Sequence, residues 1–178
     1  MIEIVTASKE NIVFIESILQ DAAQWLREMG QPIWRDEQVS WAHLSKDYRP
    51  SDFYLALFDG IPAACMGILD YDPTFWPNIE KGKSLYIHKL AVKRFAAGHG
   101  LADALIAQAK SLCRDRGISS LRLDCPQDRP YLHSLYQKHD FVHVGEVTIR
   151  EKYSTALALY KCMAESRILC GADGRKIG

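Results

Sequence analysis

Residues 85–102 read Leu85-Tyr86-Ile87-His88-Lys89-Leu90-Ala91-Val92-Lys93-Arg94-Phe95-Ala96-Ala97-Gly98-His99-Gly100-Leu101-Ala102. The first eight residues form an apolar run of strand length. The last six form a glycine-containing turn, and an amphipathic pattern continues from Gly100 to about Arg116. A strand that feeds a helix through such a turn offers a site for an anion. The first-turn N–H groups of a helix have no intrahelical acceptor, and the helix dipole favours negative charge there. Gly98 and Gly100 let a ligand approach the backbone without meeting a Cβ. The same turn is also what any strand-to-helix connection uses. It is not a Walker loop, because no Gly-Lys-Ser/Thr follows, and Asp103 stands where a dinucleotide fingerprint has its third Gly or Ala.

Outward from this stretch the periodicities are plain. Ile2 to Val5 predicts a first strand, with Ser8 as a helix N-cap. Ile12, Ile15, Ile18, Leu19, Ala22 and Leu26 recur at helical spacing, and Gly30 and Pro32 end that helix. A second short helix is expected over Asp36 to Lys46. Phe53 to Phe58 and Ala63 to Leu69 are strands joined by an Asp59-Gly60 hairpin signal. Asp70 to Lys83 reads as a loop. In the helix after Gly100, Leu101, Leu105, Ala109 and Leu112 make one apolar stripe, closed by Gly117. Leu121 to Cys125 is a strand and Pro130 opens a short helix. Phe141 to Val147 and Ala156 to Lys161 alternate as a last pair of strands. The order β-α-α-β-β-β-α-β-α-β-β, with strand–helix–strand crossovers, predicts an α/β fold with a partly parallel, mixed sheet. Residues 1–164 read as one domain, and Glu165 to Gly178 as a mobile basic tail.

Bulk properties exclude several classes. The 178 residues carry 22 Lys+Arg and 22 Asp+Glu, so no net charge recommends nucleic acid or an anionic membrane as partner. No apolar run is long enough to span a bilayer, and Met1-Ile2-Glu3-Ile4-Val5 lacks the basic region of a signal peptide. The five cysteines (65, 113, 125, 162 and 170) form no Cys-x-x-Cys pair, which argues for reduced thiols in a cytoplasmic protein. Cys125 reads as packing. His133, His139 and His143 have no metal-ligand spacing, and no metal is expected.

Three segments in order resemble the GNAT superfamily of N-acetyltransferases. Ala97-Gly98-His99-Gly100-Leu101-Ala102 is similar to its Gln/Arg-x-x-Gly-x-Gly/Ala loop, and Lys89-Leu90-Ala91-Val92 to its pantetheine-binding strand. Leu135-Tyr136-Gln137-Lys138-His139-Asp140-Phe141 resembles the segment Phe/Leu-Tyr-x-Lys-x-Gly-Phe, with Val144-Gly145-Glu146 following. Ala97 departs from the usual Gln or Arg, Arg129 stands where Asn is frequent, and Asp140 replaces a common Gly.

The resemblance implies a splayed sheet opened between Leu85–Val92 and Leu121–Cys125, with acetyl-CoA as co-substrate. Its contacts would be Leu90, Ala91 and Val92 along pantetheine and Ala97 to Ala102 at the pyrophosphate, with Lys93 and Arg94 supplying charge. An amine would attack directly in a ternary complex. A lysine-like amine is neutral in only about one molecule in 2,500 at pH 7, so a proton acceptor is needed. Tyr136 matches the family tyrosine that protonates the leaving thiolate. His88 is a candidate base, with Asp70, Asp72 and Glu80 as alternatives. Gln31-Pro32-Ile33-Trp34 resembles the segment that walls the acceptor. Trp34 and Tyr71 are therefore candidate substrate contacts, within an aromatic set that includes Trp25, Trp41 and Trp76. A small-molecule acceptor is favoured over a protein or peptide. A non-catalytic acyl-CoA-binding module is the alternative function. The chain would act as a monomer or homodimer.

Overall fold

A computed structural model describes residues 1–148 and 156–163. The strands are β1 (Ile2–Thr6), β2 (Phe53–Phe58), β3 (Ile61–Leu69), β4 (Leu85–Val92), β5 (Ser120–Pro126), β6 (Val142–Val147) and β7 (Leu157–Met163). The helices are α1 (Ile12–Glu28), α2 (Trp41–Leu44), α3 (Leu101–Asp115) and α4 (Pro130–Lys138). One seven-stranded sheet runs in the order β1-β2-β3-β4-β5-β7-β6. Its neighbours are antiparallel except β4 and β5, which are parallel. The expected α/β order with a mixed sheet is the observed one. The proposed tail and Cys170 lie outside the described residues.

The expected second helix is divided. Asp36–Val39 is a single 3₁₀ turn, and α2 begins anew at Trp41. Ser40 divides them: its backbone is extended, and its side chain accepts the N–H of His43 as the N-cap of α2. A residue that can cap competes with helix continuation.

The two faces of the sheet bury separate cores. Leu101, Leu105, Ile106, Ala109 and Cys113 of α3 pack on one face against Ile87, Leu121 and Leu123. On the other, Ile15, Ile18, Leu19 and Ala23 of α1 cover Phe53, Leu55 and Cys65. Burying a Leu or Ile fully contributes about 1.5–3 kcal/mol, so these faces orient both helices. The α3 stripe runs through Ile106 and Cys113, while Leu112 is only partly buried against it. Cys65, Cys113 and Cys125 are free and buried, and Cys162 is buried.

One irregularity shapes the middle of the sheet. β3 and β4 pair Cys65 with Ala91 but Gly67 with His88. Lys89 and Leu90 therefore both oppose Met66, and Lys89 takes a left-handed conformation at φ 52°. This is a β-bulge, which bends the strand and increases its twist. β4 then leaves β5: their register pairs are Leu85 with Leu121 and Tyr86 with Arg122, at the start of both strands.

Candidate active site

The opening between β4 and β5 begins after Tyr86 and Arg122, and the bulge at Lys89 and Leu90 lies along it. Lys93 donates its N–H to the Ala63 carbonyl at 2.8 Å, on the β3 side. By strand alternation, the backbone polar groups of Leu90 and Val92 point the other way, into the gap that β5 has left. Backbone groups of this kind need partners when covered. An extended ligand lying in the gap would supply them, while Ala91 pairs with Cys65 of β3 and is buried in the α1-side core.

The turn lies at the mouth of the gap. Arg94–Ala96 form one 3₁₀ turn, Ala97 is extended, and Gly100 is the N-cap of α3 in the left-handed region. Gly98 and Gly100 have φ of 81° and 80°. A Cβ on Gly98 would meet no atom within 4 Å, and one on Gly100 only Asp103 Oδ2 at 4.0 Å. The space over this backbone is open, which suits a cradle for phosphate oxygens. Leu101 is buried, so it offers the turn its N–H and the core its side chain. The His99 ring lies 4.7 Å from that of Phe58.

Charged side chains around the turn have partners that sequence reasoning did not assign. Arg94 stacks on Trp25, 4.1 Å from the ring centre, so contact with a pyrophosphate would require it to leave that stack. Asp103, in the first turn of α3, is drawn towards α4 by Lys138 at 3.0 Å and His139 at 2.6 Å. Hydrogen bonds from His139 and Lys138 hold its carboxyl below the usual range. Its charge is thus neutralised where it would otherwise repel an anion. Asp140 explains its own departure from the family pattern. It has φ 62°, a conformation for which glycine is the usual choice and Asp is tolerated, and it pairs with Lys110 at 3.3 Å.

At the inner end of the gap, alternation along two strands places ionisable groups on one face. Leu121, Leu123 and Cys125 of β5 face the α3 core, which leaves Arg122 and Asp124 on the opposite face with Tyr86 and His88. The 70–84 connection adds Asp72 and Trp76. Trp76 lies over the Arg122 guanidinium at 4.6 Å. Asp72, His88 and Asp124 bring ligand atoms all within 4.8 Å of one another, with Asp72 Oδ2 and His88 Nε2 3.6 Å apart. Burial drives the chemistry here. It pushes His88 down to about 4, helped by the Lys89 charge, so the imidazole is neutral at pH 7. It pushes Asp124 up to about 7, with the Asp72 carboxylate adding to the effect, and Lys89 down to about 8. A group that titrates near 7 is matched to proton transfer at neutral pH. Asp70 lines a surface cavity instead of joining this cluster.

Tyr136 on α4 is buried, with its ring against Phe141 at 5.9 Å and Tyr160 at 6.1 Å. Burial raises its hydroxyl pKa, and Cys125 and Asp124 at the end of β5 act in the same direction. It is a proton donor across the physiological range.

Trp34 and Tyr71 are in different places. Trp34 lies 5.1 Å from Lys89 Nζ, beside the bulge. Tyr71 is 44 % exposed and lines a cavity of about 650 Å³ with Tyr48, Asp70 and Arg116. Tyr48 links that cavity to the cluster, its ring 6.2 Å from His88. Sequence reasoning missed Asp124 and the neighbouring charge of Lys89. The available signal was an acid alternating with apolar residues in a strand whose neighbour is parallel, since such strands are normally apolar on both faces.

A sheet opened beside a bulge, a left-handed glycine turn at the mouth and ionisable groups within are features that comparison with known proteins can test. Residues 15–141 match the family model described as the acetyltransferase (GNAT) family. The chain belongs to the GNAT acetyltransferases. It is 27 % identical over 144 residues to the uncharacterized N-acetyltransferase YesJ of Bacillus subtilis (strain 168), covering 76 % of this chain and 79 % of that protein. Among solved GNAT folds, an acetyltransferase of Listeria monocytogenes 4b F2365 superposes with a TM-score of 0.71 at 23 % identity, covering 91 % of this chain and 94 % of the other. The PaiA N-acetyltransferase of Thermoplasma acidophilum, solved in complex with coenzyme A, superposes with a TM-score of 0.68 at 15 % identity, covering 92 % and 99 %. Among the described residues, no helix is long and apolar enough to cross a membrane.

Proposed function

We propose that this protein transfers the acetyl group of acetyl-CoA to an amine of a small-molecule acceptor, by direct attack in a ternary complex. The observation that carries this reading is the β4–β5 opening, with a proton-accepting cluster at its inner end and the Gly98–Gly100 turn at its mouth. The coenzyme A held by the structurally similar PaiA protein supports the choice of co-substrate.

Acetyl-CoA supplies the thioester. Leu90 and Val92 would pair with its pantetheine amides, and the N–H groups of Gly98, Gly100, Leu101 and Ala102 would face its pyrophosphate, that of His99 being given to the Ala96 carbonyl at 3.4 Å. Arg94 is the cation nearest the turn in sequence but stacks on Trp25, and Lys93 precedes it. Asp124 takes the proton the amine must lose, with His88, neutral and 3.6 Å from Asp72, holding the neighbouring position. The amine nitrogen forms a bond to the acetyl carbon, the carbon–sulfur bond breaks, and Tyr136 gives its proton to the departing sulfur.

Thermal unfolding with and without acetyl-CoA tests the co-substrate, with free adenine nucleotide as control. A hundredfold excess over Kd should stabilise the protein by about 2.7 kcal/mol. Acceptor-dependent release of CoA would then establish turnover. Binding without release from any amine would favour a non-catalytic acyl-CoA-binding module.

Two substitutions bear on particular contacts. Gly100→Ala should lower stability by about 1–2 kcal/mol, because an L-residue is strained at φ 80°, and should weaken acetyl-CoA binding. Urea unfolding and calorimetric titration of one preparation measure both. Trp34→Ala should raise the acceptor KM several-fold and leave the acetyl-CoA KM unchanged. An unchanged acceptor KM would remove Trp34 from the acceptor wall.

A further inference from the structure

Asp72 is 7 % exposed, and its Oδ2 has no hydrogen-bond partner among the described residues. Its other oxygen is occupied: Oδ1 accepts the Phe75 N–H at 3.3 Å. His88 Nε2 is also buried without a partner, its 3.6 Å from Asp72 Oδ2 being too long for a hydrogen bond. A buried, unsatisfied carboxylate oxygen costs stability, so its retention calls for an occupant. We propose that Asp72, with His88 Nε2 and Asp124, holds the acceptor nitrogen as a primary ammonium, and that Asp72 is the residue that selects cationic alkylamines over weakly basic amines.

Charge, rather than spacing, favours an ammonium over a metal ion. Three hydrogen bonds of about 2.8 Å directed tetrahedrally from one nitrogen require acceptors roughly 4.6 Å apart. Ligands about 2.1 Å from a metal ion lie only roughly 3.0–3.4 Å apart. The three atoms here lie within 4.8 Å of one another, with Asp72 Oδ2 and His88 Nε2 at 3.6 Å, between the two spacings. Charge separates the two. Lys89 already acts on Asp124, which leaves the cluster suited to one added positive charge. Neutral His88 accepts at Nε2 when its proton is on Nδ1. The inference rests on the acetyl-transfer reading only in taking the bound nitrogen to be the one acetylated.

The test uses labelled full-length protein saturated with CoA. The His88 ring nitrogen signals are followed by NMR as ethylammonium, 2,2,2-trifluoroethylamine (mostly neutral at neutral pH) or tetramethylammonium is added. Wild type should bind ethylammonium in preference to both others, because only it carries charge and three N–H donors. This comparison needs no variant. Asp72→Asn keeps an oxygen for the Phe75 N–H and removes only the charge. It should weaken ethylammonium binding about 10- to 100-fold and change trifluoroethylamine binding little. Equal loss for both amines, or no preference in wild type, overturns the proposal. So does micromolar binding of Mn²⁺ that broadens the His88 signals and displaces ethylammonium. CoA release from acetyl-CoA with the same amines separates the two readings. Turnover that Asp72→Asn leaves unchanged would sink the role of Asp72 alone. Asp72-dependent binding with no turnover of any amine would sink acetyl transfer alone.

Discussion

Replacing Asp124 with Asn should nearly abolish turnover and at the same time stabilise the protein at pH 8. The two effects have one cause. Burial raises the Asp124 pKa to about 7 from an ordinary value of 3.8, with the Asp72 charge contributing. The folded protein therefore holds a proton between about pH 4 and 7 that the unfolded chain has released. More protons bound in the folded state means that stability falls as pH rises through this window, and levels off above the folded pKa. At pH 8 the charged carboxylate costs on the order of 4 kcal/mol relative to a neutral group in the same place. Asparagine is nearly the same size and carries no charge. Urea unfolding should show the variant more stable than wild type at pH 8, with the difference shrinking towards pH 4. His88 works in the opposite direction. Its folded pKa of about 4 lies below its ordinary 6.5, so its contribution rises with pH between those values. The Asp124→Asn difference isolates the carboxylate because both proteins retain His88. Without the proton acceptor, kcat should fall about 100-fold or more. A variant no more stable than wild type at pH 8 would mean that Asp124 is ionised in the fold without cost, and would remove it as the base.

Tyr136→Phe should lower kcat about 100-fold, the lower end of what a positioned general acid contributes, with acetyl-CoA affinity unchanged. The ring contacts with Phe141 and Tyr160 survive this substitution, so the fold is retained. Because burial raises its pKa, the wild-type hydroxyl stays protonated through neutral pH and should contribute no basic limb near pH 7–9. Single-turnover release of CoA from acetyl-CoA and a saturating acceptor, paired with equilibrium binding of acetyl-CoA, checks both halves. Undiminished chemistry in Tyr136→Phe would reduce the residue to packing.

Much of this architecture is legible in the chain. The apolar run over Leu85–Val92, the Gly98–Gly100 turn and the helical periodicity that follows determine a strand–turn–helix unit. Local chemistry sets each part: alternation, freedom at positive φ, and a 3.6-residue stripe. Short-range rules fail where two local preferences compete, as at Ser40, which caps α2 and divides an expected helix. They also fail to rank candidate bases, since His88, Asp70 and Asp72 differ little in a linear chain.

By itself, then, the sequence determined the order of elements, the α/β class, the site of the glycine turn and the placing of Tyr136 within its motif. Each depends on neighbours a few residues apart. Only the tertiary structure decided that Asp72, His88 and Asp124, up to 52 positions apart, meet at one point, while Asp70 faces a different cavity. The physical reason is the left-handed bulge at Lys89 together with the early parting of β4 from β5. These set which faces converge and how deeply each group is buried, and burial is what moves Asp124 towards neutral pH and His88 away from it.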